Sequence, residues 1–203
     1  KDRPNFFVVG NHELAESRAK TGGLWGFPEV MMRVRMPRNE RWFSFVRGPV
    51  AVVVLDSSMG PLTNRQFLWA DRMLGNYRAE GIPWLVIAEH HPIYGPRTWQ
   101  RLAKQLEELT AKHDVDLFLA GHRHRYERWE RMTRGVPDPE GTLHITSGGG
   151  GQSQSGDDVP NAPRLLVEYN RYAFVEIMAS SDSLGIAMRL PGGRVFDSFL
   201  MSK

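Results

Sequence analysis

Three short apolar segments of this 203-residue chain are each followed closely by a polar cluster that contains histidine. Each segment is a continuous apolar run, which is typical of a strand buried on both faces. The segments are residues 6–9, 84–88 and 117–120. In open α/β sheets, ligands bind beyond the carboxyl ends of the strands. The pattern therefore predicts an α/β fold in which three histidine-bearing loops meet at one edge of a sheet.

The rest of the apolar pattern predicts helices between strands, followed by strands alone. Residues 64–79 and 99–112 have helical spacing of apolar side chains, and residues 42–46 and 50–55 are strand-like. After residue 125, turn signals separate short strands. We expect those strands at 126–132, 143–146, 164–169, 172–178, 183–190 and 194–200. Residues 126–203 are thus predicted to be mainly antiparallel β, within a single domain spanning residues 1–203.

Composition excludes several kinds of protein and site. The chain has no cysteine, which rules out a disulfide scaffold, cysteine-ligated zinc and a cysteine nucleophile. It has no run of 18 apolar residues, so no membrane span is predicted. The formal net charge is only +3. Nucleic-acid binding needs a broader basic face than this charge suggests, so no nucleic-acid partner is expected.

Histidine dominates the three polar clusters, which contain five of the seven histidines. Imidazole nitrogen and the asparagine carbonyl oxygen both ligate borderline divalent metals. One such cluster alone is more often a turn or a packed histidine, but three in order at strand ends favour a metal site. His122 and His124 either point the same way on an extended segment or reach two neighbouring metals from a loop. His113 and His144 match no motif and are expected on the surface or in the core.

The clusters resemble the motifs of calcineurin-like metallophosphoesterases, and most of all those of the purple acid phosphatase branch. The matching motifs are Gly-Asn-His-Glu at 10–13, His-x-Pro-x-Tyr at 90–94, Gly-His-x-His at 121–124 and Tyr-Glu-Arg at 126–128. The resemblance runs from about residue 5 to about residue 151. It implies a four-layer α/β/β/α sandwich. It also implies hydrolysis of phosphate monoesters, or alternatively diesters, at a dinuclear metal centre.

The resemblance further implies which side chains hold the metals. Asn11, His90 and His122 would bind one metal ion, and His124 would bind the other. Iron, zinc and manganese all suit histidine, asparagine and carboxylate ligands. The substrate would be a phosphorylated small molecule or another phosphoester.

Two further residues of the first cluster receive catalytic roles from the same resemblance. His12 would face the substrate phosphate, as an electrostatic stabiliser or as a proton donor. Glu13 would orient His12, which is the role expected of a carboxylate beside a working imidazole.

The family's upstream acidic motifs have no counterpart in the pattern of this sequence. Those motifs, Asp-x-His or Asp-x-Gly and then Gly-Asp, supply the carboxylate that bridges the metals. Only nine residues precede Gly10, and Asp2 is the sole acid among them. Two metal ions roughly 3.5–4 Å apart repel and need anionic ligands between them.

We therefore expect the chain to be the C-terminal portion of a phosphoesterase whose first strands lie upstream. On this interpretation the chain alone is poorly active. The alternative is a degenerate domain that binds metal or a phosphorylated ligand without turnover.

Overall fold

A computed structural model describes residues 4–13, 36–37, 41–96, 98–151, 162 and 164–203 of the chain. Asp2 lies outside these residues. Residues 11–13 are helical, and the helices described in full are α1 (Asn64–Ala79) and α2 (Gln100–Lys112). The strands are β1 (Phe43–Arg47), β2 (Val50–Val54), β3 (Trp84–Ala88), β4 (Leu117–Ala120), β5 (Tyr126–Trp129), β6 (Met132–Thr133), β7 (Val136–Pro137), β8 (Leu143–Ser147), β9 (Leu165–Tyr169), β10 (Phe174–Ala179), β11 (Ser183–Arg189) and β12 (Val195–Ser202).

The main sheet has seven strands in the order β1-β2-β3-β4-β8-β5-β9. Strands β2, β3, β4 and β8 run parallel, while β1, β5 and β9 are antiparallel to their neighbours. The registers align Val54 with Ala88, and Ala88 with Leu119. Parallel strands β2, β3 and β4 therefore end together, and the loops that follow them meet at one edge of the sheet.

Alternating side chains pack the main sheet on both faces. Leu85 and Ile87 of β3 point to the helices, where they pack with Leu74 and Leu106. Trp84 and Val86 of the same strand point to the opposite face. There they join a cluster with residues of a three-stranded sheet of order β10-β11-β12.

The chain thus forms a mixed α/β sandwich, with a layer of helices, the seven-stranded sheet and the three-stranded sheet in that order. These are three of the four predicted layers. A second layer of helices is not among the residues that the structure describes. Neither of the two complete helices is long and apolar enough to cross a membrane.

The structure confirms the predicted helices, the strands 84–88 and 117–120, and the other strands to within one or two residues, with two exceptions. Residues 6–9 were predicted to be a buried strand, and this is wrong. The segment is irregular, with Phe6 and Phe7 exposed. A strand needs a hydrogen-bonded neighbour, and the described residues give this segment none. Phe6 instead lays its ring on that of Phe45, with the centroids 4.0 Å apart.

The predicted strand 126–132 is the other exception, because it breaks at Glu130 and Arg131. Beyond β5 the chain leaves the main sheet and forms the separate hairpin β6–β7. Arg134 and Gly135 make its turn with φ of 51° and 77°. Positive φ at both central residues matches the twist of a two-residue hairpin.

Candidate metal centre

Three loops, which begin at Gly10, Glu89 and Gly121, bring Asn11, His90 and His122 into contact, although 111 residues separate the first from the last. The first of these loops includes the helical turn at residues 11–13. His90 Nε2 lies 2.7 Å from Asn11 Oδ1 and 3.1 Å from His122 Nδ1. His122 Nδ1 lies 3.3 Å from Asn11 Oδ1. Ligands held about 2.1 Å from a tetrahedral zinc ion stand roughly 3.4 Å from one another. The three atoms are therefore close to the spacing that one shared ion requires, and their chemistry fits such an ion.

The first loop owes its shape to Gly10 and Glu13. Glu13 Oε2 accepts a hydrogen bond from the Gly10 backbone N–H at 2.6 Å. This is the contact by which the third residue of a helix secures the residue before its first turn. A Cβ atom on Gly10 would lie 2.7 Å from two atoms of the His90 ring. The absence of a side chain at residue 10 thus allows the loop to bring Asn11 against His90.

The third loop holds His122 in an uncommon backbone conformation. His122 has φ of 62°, in the left-handed region that non-glycine residues rarely adopt. The Gly121 N–H donates to the His90 carbonyl at 3.0 Å, which ties this loop to the second one. Gly148 packs against the Arg123 carbonyl so closely that a Cβ atom there would lie 1.9 Å from the oxygen. Such strain is often found at functional sites, where surrounding contacts impose it.

His12 and His124 lie in the same neighbourhood. The charges of both act on His90 and His122 and lower their pKa values. His12 is exposed and His124 is half-buried. The hydrogen bond found for Glu13 in the described residues goes to Gly10 and not to His12. The predicted orienting role of Glu13 therefore stays a prediction, and its observed contact supports the loop that carries both Asn11 and His12.

Burial keeps the clustered imidazoles neutral. Burial, together with the charges of the neighbouring histidines, lowers the pKa of His90 to about 3. It also lowers the pKa of His91 to about 4, with His122 as the second cause. The pKa of His122 is lowered chiefly by burial as well. Metal ligation requires neutral imidazole, so at neutral pH these rings present lone pairs without first losing a proton.

Ser57, Glu89 and His91 form a buried hydrogen-bonded network beside the cluster, and the sequence motifs assign them no role. Ser57 Oγ lies 2.8 Å from His91 Nδ1 and also hydrogen-bonds the Glu89 carboxyl group. Burial raises the pKa of Glu89 to about 8. One ring nitrogen from each of His90, His91 and His122 lies within 4.8 Å of the others. Ser57 follows β2 and Glu89 follows β3, and the register of these two strands, which is visible only in the structure, brings them together.

Comparison with known proteins gives a family match for the chain. Residues 1–126 match the model of the calcineurin-like phosphoesterase family. The chain is 30% identical over 176 residues to phosphoenolpyruvate phosphatase of Allium cepa, covering 75% of this chain and 36% of that protein. It is 27% identical over 176 residues to the Fe(3+)-Zn(2+) purple acid phosphatase 12 of Arabidopsis thaliana, covering 75% of this chain and 37% of that protein.

Among solved structures, the chain resembles a purple acid phosphatase from yellow lupin seeds. The TM-score is 0.77 at 23% identity, with 90% of this chain and 36% of the lupin chain covered. At this identity the likeness concerns the fold. The chain spans little more than a third of the length of each of these proteins.

Proposed function

Since this chain belongs to the calcineurin-like phosphoesterase family, we propose that it supplies part of the metal centre of an enzyme that hydrolyses phosphate esters. The observation that supports this is the convergence of Asn11 Oδ1, His90 Nε2 and His122 Nδ1 within 3.3 Å. Three neutral donors from three separate loops have no evident structural reason to meet at a partly exposed sheet edge. A shared metal ion supplies that reason.

Asn11, His90 and His122 would hold one ion, and His124 would hold a second. Iron, zinc and manganese suit this donor set, and the iron–zinc relative in Arabidopsis favours the first two. When bound, such ions polarise phosphoryl oxygens and neutralise the charge that develops on them.

Two further residues of the first loop would serve the substrate. His12 is exposed and adjoins the cluster, so its imidazole can donate a hydrogen bond to a phosphate oxygen or a proton to the leaving oxygen. Glu13 would keep that loop in place through Gly10. The substrate class is a phosphomonoester, such as the phosphoenolpyruvate named for the onion relative.

A second candidate function, binding without turnover, is favoured by the charge of the cluster. The group of potential ligands that the described residues bring together contains histidines and no carboxylate. A dinuclear centre needs anionic ligands between its ions. The chain alone would then bind one ion and a phosphorylated ligand but hydrolyse poorly.

Metal content and hydrolysis, measured on the same samples, test both candidates. The purified chain is stripped with a chelator, reloaded with zinc, iron or manganese, dialysed and analysed for metal. It is then assayed with p-nitrophenyl phosphate and phosphoenolpyruvate. His122→Ala is the test variant. His113→Ala is the matched control, because His113 bonds Asp71 between the helices and not the cluster.

We expect the wild type and His113→Ala to bind metal and His122→Ala to lose it. Turnover by the wild type that disappears in His122→Ala supports the first candidate, hydrolysis. Metal and phosphate binding by the wild type without turnover supports the second candidate, binding alone. Equal metal content in the wild type and His122→Ala would contradict the ligand assignment on which both depend.

A further inference from the structure

His91 is buried among the rings of the candidate metal centre. Its ring centroid lies 4.4 Å from that of His122 and 4.8 Å from that of His90, which it meets edge-on. Its side chain is only slightly exposed. His91 is buried and His90 and His122 are half-buried, and bringing three such imidazoles together costs free energy unless all of their polar atoms are satisfied. A shared ion would satisfy all three at once.

Ser57 and Glu89 hold the His91 ring from behind. Ser57 is fully buried and its Oγ lies 2.8 Å from His91 Nδ1. The same hydroxyl bonds the buried carboxyl group of Glu89. A histidine that ligates metal almost always donates its other ring N–H to an acceptor, which fixes the tautomer and the ring orientation. With Nδ1 engaged by Ser57, Nε2 is the nitrogen available to a ligand.

We propose that His91 Nε2 is a fourth ligand of the ion held by Asn11, His90 and His122. This deepens the proposed function and depends on the same metal centre, but it adds a ligand that the sequence motifs do not provide. One ring nitrogen from each of His90, His91 and His122 already lies within 4.8 Å of the others, and a shared ion would draw its ligands to roughly 3.4 Å from one another. One oxygen and three imidazole nitrogens suit zinc or cobalt(II) and disfavour magnesium.

The geometry excludes a role for Ser57 as a catalytic nucleophile, although Ser57 lies beside a histidine and a carboxylate. A nucleophilic serine must reach substrate, whereas Ser57 is completely buried and its hydroxyl is shared between Glu89 and His91. Ser57 is therefore a positioning residue. The alternative role of His91 is packing alone, since its ring also lies 4.4 Å from that of Trp99. Packing and metal ligation predict different effects of substituting His91 on metal binding.

Cobalt(II) titration of the metal-free chain distinguishes metal ligation by His91 from packing alone. Cobalt(II) substitutes for zinc, and its visible absorption reports coordination number and ligand type. The test variant His91→Phe keeps the aromatic packing and removes both nitrogens. The wild type should bind at least one equivalent. We expect His91→Phe to weaken zinc and cobalt affinity by about 100-fold and Ser57→Ala by roughly 10-fold, in line with the loss of a ligand and of its support.

A cysteine substitution gives a direct spectroscopic readout. The chain contains no cysteine, so a sulfur-to-cobalt charge-transfer band in His91→Cys can arise only if residue 91 ligates the ion. His113→Cys, with the new thiol away from the cluster, is the matched control and should give no such band. Thermal melts of the metal-free variants show whether each one folds.

The outcomes distinguish this proposal from the proposed function. Wild-type affinity in His91→Phe and no charge-transfer band in His91→Cys, together with lost binding in His122→Ala, would overturn the role of His91 and leave the metal centre standing. Undiminished binding in both His91→Phe and His122→Ala would overturn both. Weakened metal binding in His91→Phe, together with a charge-transfer band in His91→Cys and none in His113→Cys, would support His91 as the fourth ligand.

Discussion

His144 gives the sharpest prediction about stability, because it is a buried base in an apolar setting. It lies in β8, almost fully buried. The Tyr94 ring meets it edge-on with the centroids 4.8 Å apart, and the Phe118 ring lies 5.6 Å away. Burial lowers the pKa of His144 to about 3, and the Met132 backbone only partly opposes this shift. Folding therefore requires the imidazole to stay neutral.

The sign and size of the effect follow from proton linkage. The pKa is 6.5 in the unfolded chain and about 3 in the folded one. Between these values the unfolded state binds a proton that the folded state does not, so the free energy of unfolding falls as the pH falls. One such group contributes at most about 1.4 kcal/mol per pH unit, or about 4 kcal/mol over the whole window. That is a large part of the roughly 5–15 kcal/mol that stabilises a typical protein.

Urea unfolding of the metal-free chain between pH 7 and pH 4.5 measures this effect against His144→Phe. The wild type should lose stability more steeply with falling pH, by nearly one proton's worth of slope. His90 and His91, whose pKa values are also lowered, are present in both proteins. The relevant quantity is therefore the difference between the two slopes, in which their contribution cancels. Phe118→Leu is the control, because it loosens the same packing without removing a titratable group. Equal slopes in the wild type and His144→Phe would refute the reasoning.

Two glycine substitutions test the shape of the loops. Gly148→Ala places a Cβ atom 1.9 Å from the Arg123 carbonyl and should lower the free energy of unfolding in urea by about 3 kcal/mol. Gly150→Ala meets nothing within 4 Å, so an equal loss there would show that the close packing at residue 148 is not the cause. Gly10→Ala pushes against the His90 ring and should weaken zinc binding by about 10-fold in calorimetry; unchanged affinity would show that the loop adapts without moving its ligands.

Periodicity predicted most of the architecture because the chain repeats simple units. Strand β3 is apolar at every position, and helix α1 has regular apolar spacing and a capping residue, Thr63, whose Oγ1 accepts from the Gln66 N–H at 3.2 Å. The same logic failed at residues 6–9. An apolar run indicates that its side chains are favoured in the core, but a strand also requires a hydrogen-bonded neighbour. Phe6 satisfies the first requirement in part by stacking on Phe45.

The candidate site shows a similar division between local and long-range information. The family-like spacing identified Asn11, His90 and His122, and the structure brings them together. The Ser57–His91 contact spans 34 residues and depends on the register of two strands. Hydrophobic patterns place strands in a sheet but fix no register between parallel neighbours, so sequence reasoning had no means to find it.

The two candidate functions differ in one electrostatic quantity, the negative charge supplied to the ions. The histidines that the described residues gather carry no charge when they ligate, and Asn11 is neutral. A doubly charged ion in such a site keeps its charge uncompensated, which makes an anionic oxygen its preferred additional partner. Phosphate affinity is therefore expected whether or not the chain hydrolyses anything. In the proposed dinuclear centre, turnover would require a second ion held beside the first, and added carboxylates would offset the repulsion between the two ions. Supplying such a carboxylate is consequently the change that would turn a phosphate-binding site of this kind into a hydrolytic one.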